Sequence, residues 1–337
     1  MPEGRPDAKR WVVGITDYVT PPPDIEAGAF PEAEFRFLSD WRTSDEARAE
    51  WASVEALLIW HWPVDRETVG VLDKCRIAVR YGVGYDLVDV AALAERGIPF
   101  CNTPDYGTEE VADHACSMVL AVRRRLLEYD RRCRGYPSGW QEHVLRPLAR
   151  TSESTLGVVG VGRIGTAVVN RMKPFGFRIV GYDPYQPAGH EKAVGYERVD
   201  ELEQLLELAD IVTVHCPLTD ETRGMMDAGF LSKMKPGASL VNTARGGILA
   251  NLDCVEEALR SGRLLSAAFD VLPDEPPSDH PLIRAWRVDE EWLAGRLVIT
   301  PHTAWFSEQA WREMRHKAAL TARMYLLSGK LRSPVKI

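Results

Sequence analysis

Short apolar runs alternate with helix-like segments along almost the whole chain, and this alternation most limits the folds open to it. In the first part the strand-like runs are 11–19, 33–39, 54–60, 76–80 and 99–102, with helical patterns at 65–75 and 87–96. The middle repeats the logic at 155–159, 178–182, 210–216, 238–243, 265–271 and 297–300, with helical patterns at 163–173, 199–209 and 251–260. Such alternation builds parallel sheets from βαβ units. Several runs are nearly continuous in apolar residues, as strands covered on both faces require. The expected class is α/β, with two doubly wound parallel-sheet domains. The length of 337 residues agrees, since one domain typically takes ~150.

A last helix is expected from Ser307 to about Leu327, capped by Ser307, with Trp311, Met314, Ala318, Ala322 and Tyr325 on one face. Its place after the last middle strand suggests that the chain returns to the first domain. The expected division is therefore 1–122 with 308–337, and 123–307. Segment 124–154 is Arg-rich and interrupted by Gly135 and Pro137. It reads as an inter-domain arm used in dimer contact. A nucleic-acid patch is the weaker reading, because the arginines are interleaved with Leu, Tyr and Trp and the chain carries a net charge of -8. The stretch 278–295, with Trp286 and Trp292, looks like an added surface element.

The acidic balance also argues against general binding to anionic membranes. No apolar run reaches the ~18 residues that would span a bilayer, and the polar start MPEGRPDAKRW does not read as a secretory signal. Six cysteines without CxxC spacing point to buried, reduced thiols and a cytoplasmic protein. The eight histidines (His61, His114, His143, His190, His215, His280, His302, His316) form no HxxxH pair, so no metal is expected. An elbow motif for a nucleophilic serine is also lacking.

The strongest local signal runs from Thr155 to Gly165. A strand ends at Gly160, and Gly160, Gly162 and Gly165 follow G-x-G-x-x-G spacing, with Arg163 and Ile164 opening a helix. Such a turn lets backbone amides and the helix dipole meet a pyrophosphate. The next strand ends in Asp183, roughly 20 residues on, where a carboxylate accepts hydrogen bonds from a ribose hydroxyl. That carboxylate repels a 2′-phosphate, and Pro184 and Tyr185 supply no compensating cation, so NAD(H) is expected over NADP(H).

Three later segments carry chemistry at expected strand ends: Arg245-Gly246-Gly247, Asp270 to Pro277 with Glu275, and Pro301-His302-Thr303-Ala304-Trp305. Ligands of open α/β sheets gather at the carboxyl ends of strands, so all three are candidates for one cleft. Hydride arriving at a carbonyl carbon builds negative charge on oxygen. An imidazolium can protonate it, and a guanidinium can grip a carboxylate in two places.

The chain resembles the NAD-dependent D-isomer-specific 2-hydroxyacid dehydrogenases from about Ala56 to Leu331. Within them it is most similar to the C-terminal-binding-protein-like branch. The residues that carry the resemblance are Val79-Arg80-Tyr-Gly82-Val-Gly84-Tyr-Asp86, Gly181-Tyr-Asp183-Pro-Tyr185, Asn242 to Gly247 and Pro301 to Ala310, the branch resting on Arg80 and the Trp305 segment. The resemblance implies a Rossmann NAD-binding domain inserted into a flavodoxin-like substrate domain, and a homodimer. It implies that Arg245 binds the substrate carboxylate, that His302 is the general acid in reduction and base in oxidation, and that Glu275 hydrogen-bonds His302 and favours its protonated form. Amides near Val83 and Gly84 would hold the carboxylate, and His61, Arg80 and Trp305 would line the substrate pocket, with Trp60 a further candidate. Asp270 would lie near the nicotinamide carboxamide. His215, Cys216, Pro217, Thr222 and Thr243 would line the cofactor groove.

The expected activity is NADH-dependent reduction of a 2-oxo acid to the D-2-hydroxy acid, or the reverse. An apolar, sulfur-containing or aromatic tail ranks above a dicarboxylate or phosphonate-bearing one, although Arg80 adds a second cation. An NADH-responsive corepressor-like binding module is the alternative, and a phosphite-type dehydrogenase the third reading. Val111 departs from the family by replacing a hydroxyl residue often found near the nicotinamide.

Overall fold

The structure, a computed structural model, describes residues 10–135, 140, 144–145 and 148–335. Pro137 and His143 lie outside the described residues, as do a few other positions of the expected arm. The chain divides into two compact units, Met1–Gly107 with Ser307–Ile337 (unit 1) and Thr108–Phe306 (unit 2).

Unit 1 holds a parallel sheet of β1 (Trp11–Ile15), β2 (Ala33–Phe37), β3 (Ala56–Ile59), β4 (Ile77–Arg80) and β5 (Phe100–Cys101). Its order, β2-β1-β3-β4-β5, is the flavodoxin-like one, with the topological switch between β1 and β3. Every residue of β3 is buried, and Leu57 and Ile59 pack with Trp51, Leu72 and Leu93. The helical pattern expected over 65–75 yields only Arg66–Gly70, capped by Asp65, because Val71, Leu72 and Cys75 turn into that core.

The helix Glu308–Ser328 belongs to unit 1. Ser307 Oγ accepts the Ala310 amide at 2.9 Å, and Met314, Ala318 and Ala322 are buried along one stripe. Arg315 on this helix donates to both carboxylate oxygens of the fully buried Glu26, at 2.7 and 2.6 Å. The Tyr81 hydroxyl donates to the same carboxylate at 3.0 Å.

Unit 2 holds a parallel sheet of β6 (Thr155–Val159), β7 (Arg178–Tyr182), β8 (Glu197–Arg198), β9 (Ile211–Val214), β10 (Ala238–Asn242), β11 (Leu264–Phe269) and β12 (Leu297–Ile299). The order β12-β11-β10-β9-β6-β7-β8 is that of a Rossmann sheet with one further edge strand, switching between β6 and β9. Strands β6, β9 and β10 are buried throughout. Successive side chains sort to opposite faces. Val212, Val214 and Leu240 join Leu205, Phe230 and Val255, whereas Ile211 and Val241 join Val119, Val168 and Met172. The chain thus consists of a Rossmann unit inserted in sequence into a flavodoxin-like one.

Two sequence expectations shift. The helix Thr108–Arg124 places Ala112, Ala115, Val119 and Val122 in the unit 2 core, so the first boundary falls at 107/108 rather than 122/123. The 278–295 stretch is not a surface addition: its helix Pro281–Arg287 buries Leu282, Ile283 and Ala285, and Leu293 follows them into the core. No described helix is long and apolar enough to cross a membrane.

Removing one partner of a buried ion pair leaves an uncompensated charge, at a cost of about 3–5 kcal/mol. Glu26→Gln should lower the unfolding free energy in urea by that order, and an unchanged midpoint would show that the pair does not hold the last helix to unit 1.

Candidate active site

In unit 2 the chemical residues stand at the carboxyl ends of the strands. The glycine turn closes β6, where the Gly160 amide donates to the Tyr182 carbonyl at 2.8 Å. Gly162 is the N-cap of the helix Arg163–Met172 and offers no side-chain cap, so Arg163 and Ile164 open a helix whose first amides point outward. A Cβ at Gly162 would meet no protein atom within 4 Å, whereas a Cβ at Gly165 would lie 2.1 Å from the Gly160 carbonyl oxygen. The first glycine keeps space open for a ligand, and the second permits close helix–strand packing. Asp183 accepts the Val161 amide at 2.8 Å and the Tyr185 amide at 3.0 Å, which fixes the acid beside the turn.

Two polar atoms at the adjoining strand ends are buried without a partner among the described residues: Nδ1 of His215 after β9 and Oγ1 of Thr243 after β10. Buried polar atoms are nearly always hydrogen-bonded, so such orphans point to an absent ligand. Burial pushes the His215 imidazole down to about 3, so its ring is neutral. The open space at Gly162, the fixed acid and the two orphans fit a dinucleotide. Cys216 packs its backbone against Gly160, and burial pushes its thiol up to about 12. Thr222 uses its hydroxyl to close the turn after Pro217, donating to that residue's carbonyl at 2.6 Å.

Arg245 follows β10. Asn242 shapes its loop by donating to the Arg245 carbonyl at 2.9 Å and accepting the Ala244 amide at 2.9 Å. Glu275 follows β11 and accepts the Leu272 amide at 2.9 Å through Oε1. Its Oε2 lies 2.7 Å from His302 Nδ1. Burial raises the Glu275 pKa, but the His302 hydrogen bond, the Leu272 amide and the Arg245 charge outweigh it, so the carboxyl stays below its ordinary range.

The His302 segment is held by Asp270, which is 2% exposed. One Asp270 oxygen accepts from the Thr300 hydroxyl at 2.5 Å and the Thr303 amide at 3.0 Å, and the other from the Ala304 amide at 2.9 Å. The Asp270 carbonyl accepts the His302 amide at 2.8 Å. The turn places His302 at φ +54, a left-handed conformation that is uncommon for histidine. The Trp305 indole N–H donates to the His302 carbonyl at 3.0 Å.

Several contributors escape sequence reading. His114 lies 3.0 Å from the Thr300 hydroxyl, and His190 Nε2 lies 3.1 Å from the Val161 carbonyl inside the glycine turn. Only their place in three dimensions marks them. Val111 sits buried in the helix Thr108–Arg124.

In unit 1, Asp17 accepts the amides of Trp60, His61 and Trp62, the His61 bond being 2.9 Å. The Trp60 indole N–H donates to His61 Nε2 at 3.0 Å. Arg80 donates to the Tyr81 carbonyl, and the Val83 carbonyl accepts from Asn102 at 2.8 Å. Among the described residues the Val83 and Gly84 amides have no protein acceptor.

Residues 116–304 match the family described as D-isomer specific 2-hydroxyacid dehydrogenase, NAD binding domain. The chain is 39% identical over 261 residues to a glyoxylate reductase of Korarchaeum cryptofilum, covering 76% of this chain and 75% of the relative. It is 36% identical over 247 residues to a D-3-phosphoglycerate dehydrogenase of Methanocaldococcus jannaschii, covering 73% of this chain and 45% of the relative. Among solved structures it is similar to the holo form of Rhodotorula graminis D-mandelate dehydrogenase, with TM-score 0.84 and 27% identity over 98% of this chain and 99% of that one.

Gly162→Ala should weaken NADH binding about tenfold or more while changing stability by no more than about 1 kcal/mol; equal NADH affinity would contradict the assignment of that open space. Glu275 predicts a pH signature. Its folded pKa is depressed, so its stabilisation is complete above the ordinary value of 4.5 and fades as the pH falls through the lowered folded value. The melting-temperature gap between wild type and Glu275→Gln should stay constant near neutrality and close in acid. It should be small, because the side chain is 36% exposed. A gap that widens on acidification would contradict the contact.

Proposed function

The chain belongs to the D-isomer specific 2-hydroxyacid dehydrogenase family, and from that premise we propose that it reduces a 2-oxo acid to the D-2-hydroxy acid with NADH, or runs the reverse oxidation. As a family member it is an NAD-binding oxidoreductase of 2-oxo and 2-hydroxy acids. The observation that carries the finer reading is the 2.7 Å contact of His302 with Glu275, in the same unit as the glycine turn and with Arg245 close enough to lower the Glu275 pKa.

The glycine turn, Asp183, His215 and Thr243 would hold the dinucleotide. When bound, the nicotinamide supplies a hydride equivalent for the carbonyl carbon. His302 engages Glu275 through Nδ1, which leaves Nε2 to donate a proton to the carbonyl oxygen in reduction and to accept it in oxidation. The ionised Glu275 orients the ring and offsets the charge of the imidazolium. Arg245 binds the substrate carboxylate and polarises the 2-oxo group. The Val83 and Gly84 amides are assigned to the same carboxylate, with His61, Arg80 and Trp305 lining the substrate pocket. Arg80 and the Trp305 segment support the C-terminal-binding-protein-like branch.

The Asp183 carboxylate beside the glycine turn supports NADH over NADPH. Exposed Leu126, Leu127, Trp140 and Val144 on the arm support a homodimer. Six free cysteines suit a reducing, cytoplasmic compartment. Names among the relatives include glyoxylate, phosphoglycerate and mandelate, so kinship supports the reacting head group and leaves the tail open.

His302→Gln should lower kcat for 2-oxo acid reduction by about 10²–10⁴-fold. NADH binding, followed by fluorescence, should persist. Near-normal turnover by this variant would remove His302 from the proposed role.

A further inference from the structure

Unit 1 gathers an aromatic group at its topological switch point, and two of its members, Tyr18 and Trp311, have no part in the chemistry described so far. Tyr18 follows β1, and Trp60 and His61 follow β3, the two neighbouring strands between which the sheet order switches. Trp311 joins them from the helix Glu308–Ser328. Tyr18 stacks on Trp60 with centroids 4.8 Å apart and planes 15° from parallel. Its ring meets His61 edge-on at 5.4 Å and Trp311 at 5.8 Å, and Trp60 lies 5.0 Å from Trp311. The crevice outside the carboxyl ends at a switch point is where open α/β sheets take their ligands.

Tyr18 is the outer member of this group. It is 61% exposed, although its ring is held in a fixed stack. Its backbone lies at φ +66, in the left-handed region that costs a bulky residue energy. The loop beneath is equally fixed, since Asp17 receives three consecutive amides from residues 60–62. A solvent-facing aromatic surface with a hydrogen-bonded base is suited to stacking against a flat apolar group.

The charges nearby favour such a group over a second anion. The Asp17 carboxylate lies 3.9 Å from His61 Nδ1 and would repel another carboxylate. Arg315 approaches the Trp311 ring at 5.3 Å, but its guanidinium is paired with Glu26. Arg80, the cation that sequence reading offers to a dicarboxylate, turns back onto its own loop at the Tyr81 carbonyl. That loop, with the Val83 and Gly84 amides, follows β4, which pairs directly with β3. Neighbouring strands are spaced about 5 Å apart, so the loop with these amides stands one strand from Trp60 and two from Tyr18 at the same carboxyl edge of the sheet.

We propose that Tyr18, backed by Trp60 and Trp311, is the specificity-determining surface of this enzyme and selects 2-oxo or 2-hydroxy acids with a planar aromatic tail. This rests on the reaction proposed above. Tyr18 makes no contact with reacting atoms; it sets which tail is held while the head reacts.

The test compares wild type, Tyr18→Phe and Tyr18→Ala on phenylpyruvate, pyruvate and oxaloacetate with NADH. Wild type should favour phenylpyruvate in kcat/KM. Tyr18→Ala should lower the phenylpyruvate-to-pyruvate ratio about tenfold, the scale of one lost aromatic stack with its buried area. Tyr18→Phe should keep most of the ratio. A loss shared equally by both substrates, or a wild-type preference for oxaloacetate, would overturn the proposal and leave the reaction standing. Calorimetric titration of the NADH-loaded proteins with phenylpyruvate gives a readout independent of turnover. If no 2-oxo acid is reduced, the reaction fails. In that case Tyr18-dependent binding of phenylpyruvate would still support the aromatic surface, and its absence would overturn it.

Discussion

The buried carboxylate of Asp270 is the constraint on which the candidate active site turns. An isolated buried charge is costly, and Asp270 is stabilised by donors drawn from a single short segment, Thr300 to Ala304. Satisfying it winds that segment into a tight turn and carries His302 into the left-handed region. The imidazole then meets Glu275, which is itself fixed through the Leu272 amide. Asp270 directly follows a strand and is also the peg around which His302, the proposed proton carrier, is placed. The sequence resemblance assigns Asp270 to the cofactor; the structure adds this anchoring duty.

Both units follow one rule of open parallel sheets. Strands covered on both faces leave only their carboxyl ends for polar chemistry, and the strand order opens a crevice where connections diverge. In unit 2 that point, between β6 and β9, holds the glycine turn and the His215 segment. In unit 1 it lies between β1 and β3 and holds Tyr18, Trp60 and His61. The family match and the proposed head-group chemistry reside mainly in the first, and the proposed choice of tail in the second.

Much of the fold was legible because a strand buried on both faces announces itself as an apolar run. Thr155–Val159 and Arg178–Tyr182 match their expected bounds, and Ser307 caps the last helix as its residue type suggests. The strand Glu197–Arg198 was not legible, since an edge strand of two charged residues carries no apolar signal. The placement of the helix Thr108–Arg124 in unit 2 depends on tertiary packing, as does the burial of Leu282 and Ile283. The glycine spacing and the order Arg245, Glu275, His302 could be read directly. The surroundings of the site could not: Asp270 as anchor, His190 at the Val161 carbonyl and the Tyr18 stack all join residues far apart in sequence.

We propose that this protein transfers a hydride between NADH and a 2-oxo acid with D stereochemistry. It is tested most directly by incubating the purified protein with NADH and a panel of 2-oxo acids, then resolving the products on a chiral column. One D-2-hydroxy acid should form for each NADH consumed. Formation of the L product, or intact NADH binding with no 2-oxo acid reduced across the panel, would contradict it.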